Sequence, residues 1–148
     1  ALRRELRRGP GGNEEIQTRG DYVNKKELAI QRKKVWYMYH ISGCGNLNRI
    51  KINAVFLSAA NSYEHELEKF KICYRLKTER KDFITEAELN KNSRTEGNIR
   101  RDVCCLDTGE VFEIETDKRK IAEKKETQKG ARDYDNVNWI WIGKPKKD

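Results

Sequence analysis

The sequence predicts an α/β fold, a small mixed β-sheet flanked by helices with a basic N-terminal accessory element before it. Three observations predict this. Residues 58 to 79 carry apolar side chains at spacings of three and four, residues 82 to 89 and 100 to 116 are β-rich runs joined by turn signals, and a charged helical stretch at 117 to 130 precedes a final apolar run. The order helix, strand, strand, strand, helix, strand is that of an α/β sandwich around a mixed sheet. At 148 residues the chain has room for one core. We therefore expect residues 1–55 to form the accessory element and residues 56–148 the core.

In the accessory element, ALRRELRR at 1 to 8 offers a short basic helix, and GPGG a breaker before a polar linker. Leu28 and Ile30 suggest a helix from about Asn24. VWYMYHI at 35 to 41 and RIKINAV at 49 to 55 read as two strands around the turn signal SGCGN, although 25 to 41 also fits one continuous amphipathic helix. In the core, the first helix spans SAANSYEHELEKFKICYRLKTE. Leu67, Phe70, Cys73 or Tyr74, and Leu76 or Lys77 form its apolar stripe, with Ser58 or Asn61 as N-cap. DFITEAEL at 82 to 89 follows as a strand, with Phe83, Thr85 and Ala87 opposed to Ile84, Glu86 and Glu88, and NKNSRTEGN at 90 to 98 is a polar loop. RRDVCCL and VFEIET then flank Asp-Thr-Gly-Glu, a hairpin turn in which Gly109 is free to take positive φ. DKRKIAEKKETQKG forms a charged helix ending at Gly130, VNWIWI at 137 to 142 a buried strand, and KPKKD a basic tail. There is no internal repeat.

Composition narrows the function classes. The charged fraction is 38% against 36% hydrophobic, yet three tryptophans and clustered aliphatic residues exclude wholesale disorder. Net charge is +8, and residues 1 to 50 hold 11 Lys/Arg against 5 Asp/Glu while the remainder holds 21 against 19. Such a surplus attracts polyanions and favours nucleic acid as a partner, a solvated surface being the plainer alternative. Cys44, Cys73, Cys104 and Cys105 contain no C-x-x-C pair, which argues against a zinc ribbon. With no signal-peptide pattern and no apolar run near the roughly 18 residues of a membrane span, a reducing cytoplasm and no membrane association are expected.

The chemistry gathers on the hairpin. With an even number of residues between the paired strands, Leu106 pairs with Val111, Cys104 with Glu113, and Asp102 with Glu115. One face then carries Asp102, Cys104, Glu113 and Glu115, and the other, Val103, Cys105, Phe112 and Ile114, is the core. A three-residue loop would flip this parity. Three carboxylates on one face repel one another unless a cation or a proton intervenes, and hard oxygen ligands suit Mg²⁺ or Mn²⁺. A solvent-facing strand with acids in its exposed positions is the simpler account of the same residues.

A helix bearing an acid, then D-x(10)-E-x-E across a hairpin, a charged helix and a hydrophobic strand together resemble the PD-(D/E)XK nuclease superfamily. This restriction-endonuclease-like fold includes archaeal Holliday junction resolvases, and the resemblance covers about residues 58 to 142. It implies a metal-dependent DNA endonuclease in which Asp102 is the motif aspartate, Glu113 the (D/E), and Ile114 the residue whose carbonyl assists the metal. Glu115 stands at the lysine position, and Glu64, with Glu66 as rival, is the acid on the helix. Arg101 replaces the usual proline before the aspartate. The larger departure is Glu115, since the family's lysine is thought to position water; some enzymes of the fold use Glu-x-Glu, and Lys118 or Lys120 is a candidate substitute. The alternative is a catalytically inactive nucleic-acid-binding module. By analogy a homodimer is also possible.

Outside the motif, His65 is a candidate general base or an exposed helix residue, while His40 and Cys44 lack the second ligand pair of a zinc site. Trp36, Tyr37 and Tyr39 beside Arg32, Lys33 and Lys34 form a basic and aromatic mixture suited to nucleic acid, or else a small core. Arg100, Arg101 and the run Lys118, Arg119, Lys120, Lys124 and Lys125 flank the acidic cluster and could track a DNA backbone or form helix ion pairs.

Overall fold

The structure is a computed structural model and describes residues 13–40, 52–90 and 98–143, with side chains of the first helix described from Lys25 onward. In chain order the elements are α1 (Asn13–Trp36), β1 (Tyr39–His40), α2 (Tyr63–Thr78), β2 (Phe83–Leu89), β3 (Arg100–Cys105), β4 (Val111–Glu115), α3 (Lys118–Thr127), a 3₁₀ turn (Tyr134–Asn136) and β5 (Val137–Trp141). The strands form one mixed sheet in the order β1-β2-β3-β4-β5. Its first four strands are antiparallel neighbours, and β5 lies parallel to β4. Parallel neighbours need a crossover connection, and α3 supplies it. The expected order of helix, three strands, helix and strand is therefore present in an α/β structure with three described helices.

In the N-terminal stretch the structure follows the continuous-helix alternative as far as Trp36 and departs from it at Tyr39. Helix continues through Val35 and Trp36, and a two-residue strand then pairs Tyr39 with Leu89 and His40 with Glu88. Among the described residues, 52 and 53 form a turn and 54–58 carry no regular secondary structure, so this part of the expected second strand is not formed. Val35 and Tyr39 explain the difference, because both enter the core cluster with Ile84, Leu89, Cys104 and Val111. Burial of these two side chains against the sheet outweighs the β-propensity of the aromatic run. Residues 1–12, the SGCGN turn, residues 49–51, most of the 90 to 98 loop and the basic tail lie outside the described residues.

α2 is capped by Ser62, one residue beyond the expected Asn61, whose hydroxyl oxygen accepts from the His65 N–H at 3.2 Å. Glu64 and Glu66 lie in its first turn and Arg75 and Lys77 in its last, matching the helix dipole. Its buried face is His65, Lys69, Ile72, Cys73 and Leu76, whereas Leu67, Phe70 and Tyr74 of the expected stripe face outward. Ile72, Cys73 and Leu76 pack on Phe83, Val103, Cys105, Phe112 and Ile114, forming a second cluster. Thus both faces of the sheet are apolar at the hairpin end, and Cys104, expected beside the acids on an open face, is fully buried. β5 is an edge strand with alternating partial exposure rather than a buried one.

The hairpin closes through Leu106 to Glu110, with the Gly109 N–H donating to the Cys105 carbonyl at 2.9 Å and the Cys105 N–H to Glu110 at 2.8 Å. Gly109 takes φ of 78°, a region in which a side chain is strained. This loop sets the register to Cys104 opposite Val111 and Val103 opposite Phe112, two residues from the expected pairing. The parity is unchanged. One step further along the two strands stand Asp102 and Glu113.

Candidate functional site

At Asp102 and Glu113 the β3–β4 ladder opens. Instead of bonding backbone to backbone, the Asp102 N–H donates to Glu113 Oε1 at 3.0 Å, and the Ile114 N–H donates to Asp102 Oδ2 at 2.8 Å. Each acid thus occupies the position of a carbonyl on the opposite strand and satisfies a buried donor. On the other side of β3 the ladder is also interrupted. Thr85 pairs with Val103 and Ala87 with Arg101, but Glu86 between them has φ of 52°, unusual for a residue with a side chain. The period of two breaks here: Arg101 reaches Asp133 on the side of Tyr39, while Asp102 turns to α2.

The space in front of Asp102 is an open cleft of about 510 Å³. Asp102, Glu113, Ile114 and Glu115 line it from the strands, Ser62 and His65 from α2, Lys120 and Lys124 from α3, and Arg100 from the start of β3. Glu113 is buried. Loss of water, followed by the nearby Asp102 charge, pushes its carboxyl up to about 8, with Arg101 and Lys124 opposing. Glu115 is moved the other way. Burial disfavours its charge, but Lys124 Nζ at 3.1 Å and the N–H groups of Thr116 and Asp117 hold it below the usual carboxylate range. Lys124 Nζ also stands 3.8 Å from Glu113 Oε2.

Glu64 is exposed and does not line the cleft. The helix turns its neighbour inward: His65 is buried, with Nε2 3.3 Å from Asp102 Oδ2 and Nδ1 2.9 Å from Glu66 Oε1. Burial opposes protonation of this imidazole, but the two carboxylates outweigh it and raise its pKa to about 9. At neutral pH His65 is therefore a cation, with no lone pair to act as a base. Glu66 lies farther back. Burial works against its charge, yet Lys69, the Ser58 N–H, Asn61 and His65 bring it to about 2. Lys69, fully buried, bridges Glu66 and Glu86 and donates to the Phe56 carbonyl at 3.0 Å. This network ties α2 to β2 beneath the cleft.

The cations differ in how firmly they are held, Arg100 standing 3.9 Å from Glu86. Arg101 is fully buried in a two-pronged pair with Asp133 at 2.6 and 2.9 Å, so it cannot meet a nucleic acid as expected; the broken alternation of β3 turned it inward. Arg32 is tied to Asp107 at 2.7 and 3.1 Å. Lys33 and Lys34 are exposed on α1, and Lys118 lies over the Trp141 ring at 4.1 Å. Arg100 and Lys120 are exposed at the cleft. Lys124 is the cleft cation closest to the acids, where Lys118 or Lys120 was expected; its spacing of four from Lys120 is the sequence signal that both share a helix face.

Hard oxygens are what the cleft offers a ligand. Asp102 and Glu113 each commit one oxygen to a backbone N–H, leaving the second to face the cleft's other groups. Among the described residues no three His, Cys, Asp or Glu side chains gather as a ready-made metal cage. An Mg²⁺ or Mn²⁺ ion needs only one or two protein carboxylates and completes its shell with water and substrate oxygens, so the donor set fits that class of cation. No helix among the described residues is long and apolar enough to cross a membrane. The chain matches no family model, no curated protein and no solved structure.

Proposed function

We propose that this chain is a metal-dependent DNA endonuclease of the PD-(D/E)XK kind. One observation carries the reading: the sheet opens where Asp102 and Glu113 stand opposite each other, at a polar cleft rimmed by Arg100, Lys120 and Lys124. Asp102, Glu113 and the Ile114 carbonyl would hold Mg²⁺ or Mn²⁺, which when bound polarises the phosphodiester and lowers the pKa of water. Arg100 and Lys120 bind backbone phosphates on either side, a role that carries no sequence information. Lys124 supplies the positive charge that Glu115 cannot, and the 3.1 Å contact with Glu115 aims its ammonium toward the cleft. His65 bridges Asp102 and Glu66 and fixes the Asp102 carboxylate at the wall of the cleft. Lys33 and Lys34 are exposed on α1 and do not line the cleft, so they take no part in the cut.

The test is cleavage of labelled duplex, single-stranded, flap and four-way junction DNA with Mg²⁺ or Mn²⁺. Wild type should cut at least one substrate only with metal, and Asp102→Asn and Glu113→Gln should each abolish cutting while remaining folded. Intact DNA under every condition would overturn the endonuclease reading. A second reading, an inactive module that binds nucleic acid, is favoured by Glu115 at the lysine position. Metal-independent DNA binding that weakens steeply with salt, with no cleavage, is its signature.

A further inference from the structure

α2 has two apolar faces. Ile72, Cys73 and Leu76 pack on the sheet, while Tyr63, Leu67, Phe70 and Tyr74 form a stripe on the opposite side, 75, 37, 52 and 63% exposed. Spacings of four, three and four keep these residues in line along the helix. Phe70 and Tyr74 stack with ring centroids 6.0 Å apart, and Leu57, 75% exposed, adds to the apolar surface near the helix start. A helix apolar on both sides is normally buried on both.

The charges flanking the stripe identify what covers it. Glu64 and Lys71 are exposed, seven residues apart, and lie along the same flank. In a two-fold antiparallel helix pair each flank meets the same flank of its partner, so Glu64 of each copy faces Lys71 of the other, giving two opposite-charge pairs. A parallel pair would instead set this flank against the opposite flank of the partner helix, so Glu64 and Lys71 would not meet. The apolar residues agree with the antiparallel register, since Leu67 then meets Phe70 and Tyr63 meets Tyr74 of the second copy. Beside Tyr74 lies a depression of about 190 Å³, lined by Val55, Phe70, Cys73, Tyr74 and Phe83 with Asn53 and Lys77 among its walls.

We propose that a second copy of this chain docks on this stripe, forming an antiparallel, two-fold α2–α2 dimer. The inference concerns the outer face of α2 and is independent of the chemistry in the cleft. It is tested by sedimentation equilibrium of the full chain from micromolar to millimolar concentration, with thermal unfolding of each variant as a folding check. Wild type should be in monomer–dimer equilibrium, and Phe70→Ser should remain monomeric. Glu64→Lys and Lys71→Glu should each weaken association about tenfold at low salt, through the two pairs that each reverses. Combining them should restore it, because residues seven apart on one helix are too distant to pair within a copy. A monomeric wild type at millimolar concentration overturns the proposal. So does association that survives Phe70→Ser, or a double variant no stronger than the singles.

Discussion

Asp102, Glu113 and His65 are the residues on which the proposed chemistry depends, and pH separates their contributions. His65 has a folded pKa of about 9 against an ordinary 6.5. The stability it adds is complete below pH 6.5 and is lost as pH rises through 9. Glu113, raised to about 8 from 4.5, acts in the same direction: the unfolded chain releases this proton first, so stability falls between pH 4.5 and 8. Glu66, lowered to about 2, adds stability above pH 4.5 that disappears as pH falls toward 2. Metal-free protein should therefore be most stable near pH ~5 and decline toward 9. Denaturant titration across this range checks the sum. Glu113→Gln should flatten the fall up to pH 8, and His65→Asn the part above 6.5; an unchanged profile in both would refute the charge assignments. Lys124→Ala should lower any cleavage rate on the order of 10²-fold while Lys125→Ala has little effect, since only Lys124 reaches the acids. The motif spacing made the acids legible in the sequence. His65 and Lys124 were ambiguous because helix rotation decides which of several adjacent charged residues enters the cleft.

At the level of elements, the hairpin and the helix against it carry the site. β3 and β4 were recognisable from their β-rich runs and Asp-Thr-Gly-Glu turn, and their parity followed from an even pairing. The register did not, because Gly109 closes a loop from Leu106 to Glu110 and shifts the pairing by two residues. Nor was the break in alternation visible, since Glu86 at positive φ and the carboxylate bonds across the strands are properties of the assembled sheet. That break sends Arg101 to Asp133, with both side chains at most 1% exposed. Removing one member of a buried pair leaves the other charge unpaired, so Arg101→Ala should destabilise the protein by roughly 3–5 kcal/mol. Chemical denaturation measures it; a loss well under 1 kcal/mol would contradict a structural role for the pair. α2 was legible as a helix but not in its orientation. Its apolar residues at spacings of three and four fit either of two faces, and burial of Ile72, Cys73 and Leu76 decided between them.

For the whole molecule, the five-stranded mixed sheet runs from β1, just after α1, at one edge to β5 at the other. Tyr39 near the N-terminal side donates to Asp133 at 2.7 Å, and Asp133 in turn holds Arg101 beside the acidic pair. Fold class was accessible to the sequence because it depends on the order of periodic segments. The junction between the N-terminal stretch and the core was not, because Val35 and Tyr39 are recognisable as core residues only once the sheet they cover exists. The central claim is that Asp102 and Glu113 together hold a divalent cation where the sheet opens. Calorimetric titration of Mn²⁺ into the full chain at pH 8, beside Asp102→Asn and Glu113→Gln, tests it most directly. Wild type should show saturable binding that both substitutions abolish. Absence of binding, or binding that persists in both variants, would contradict the claim.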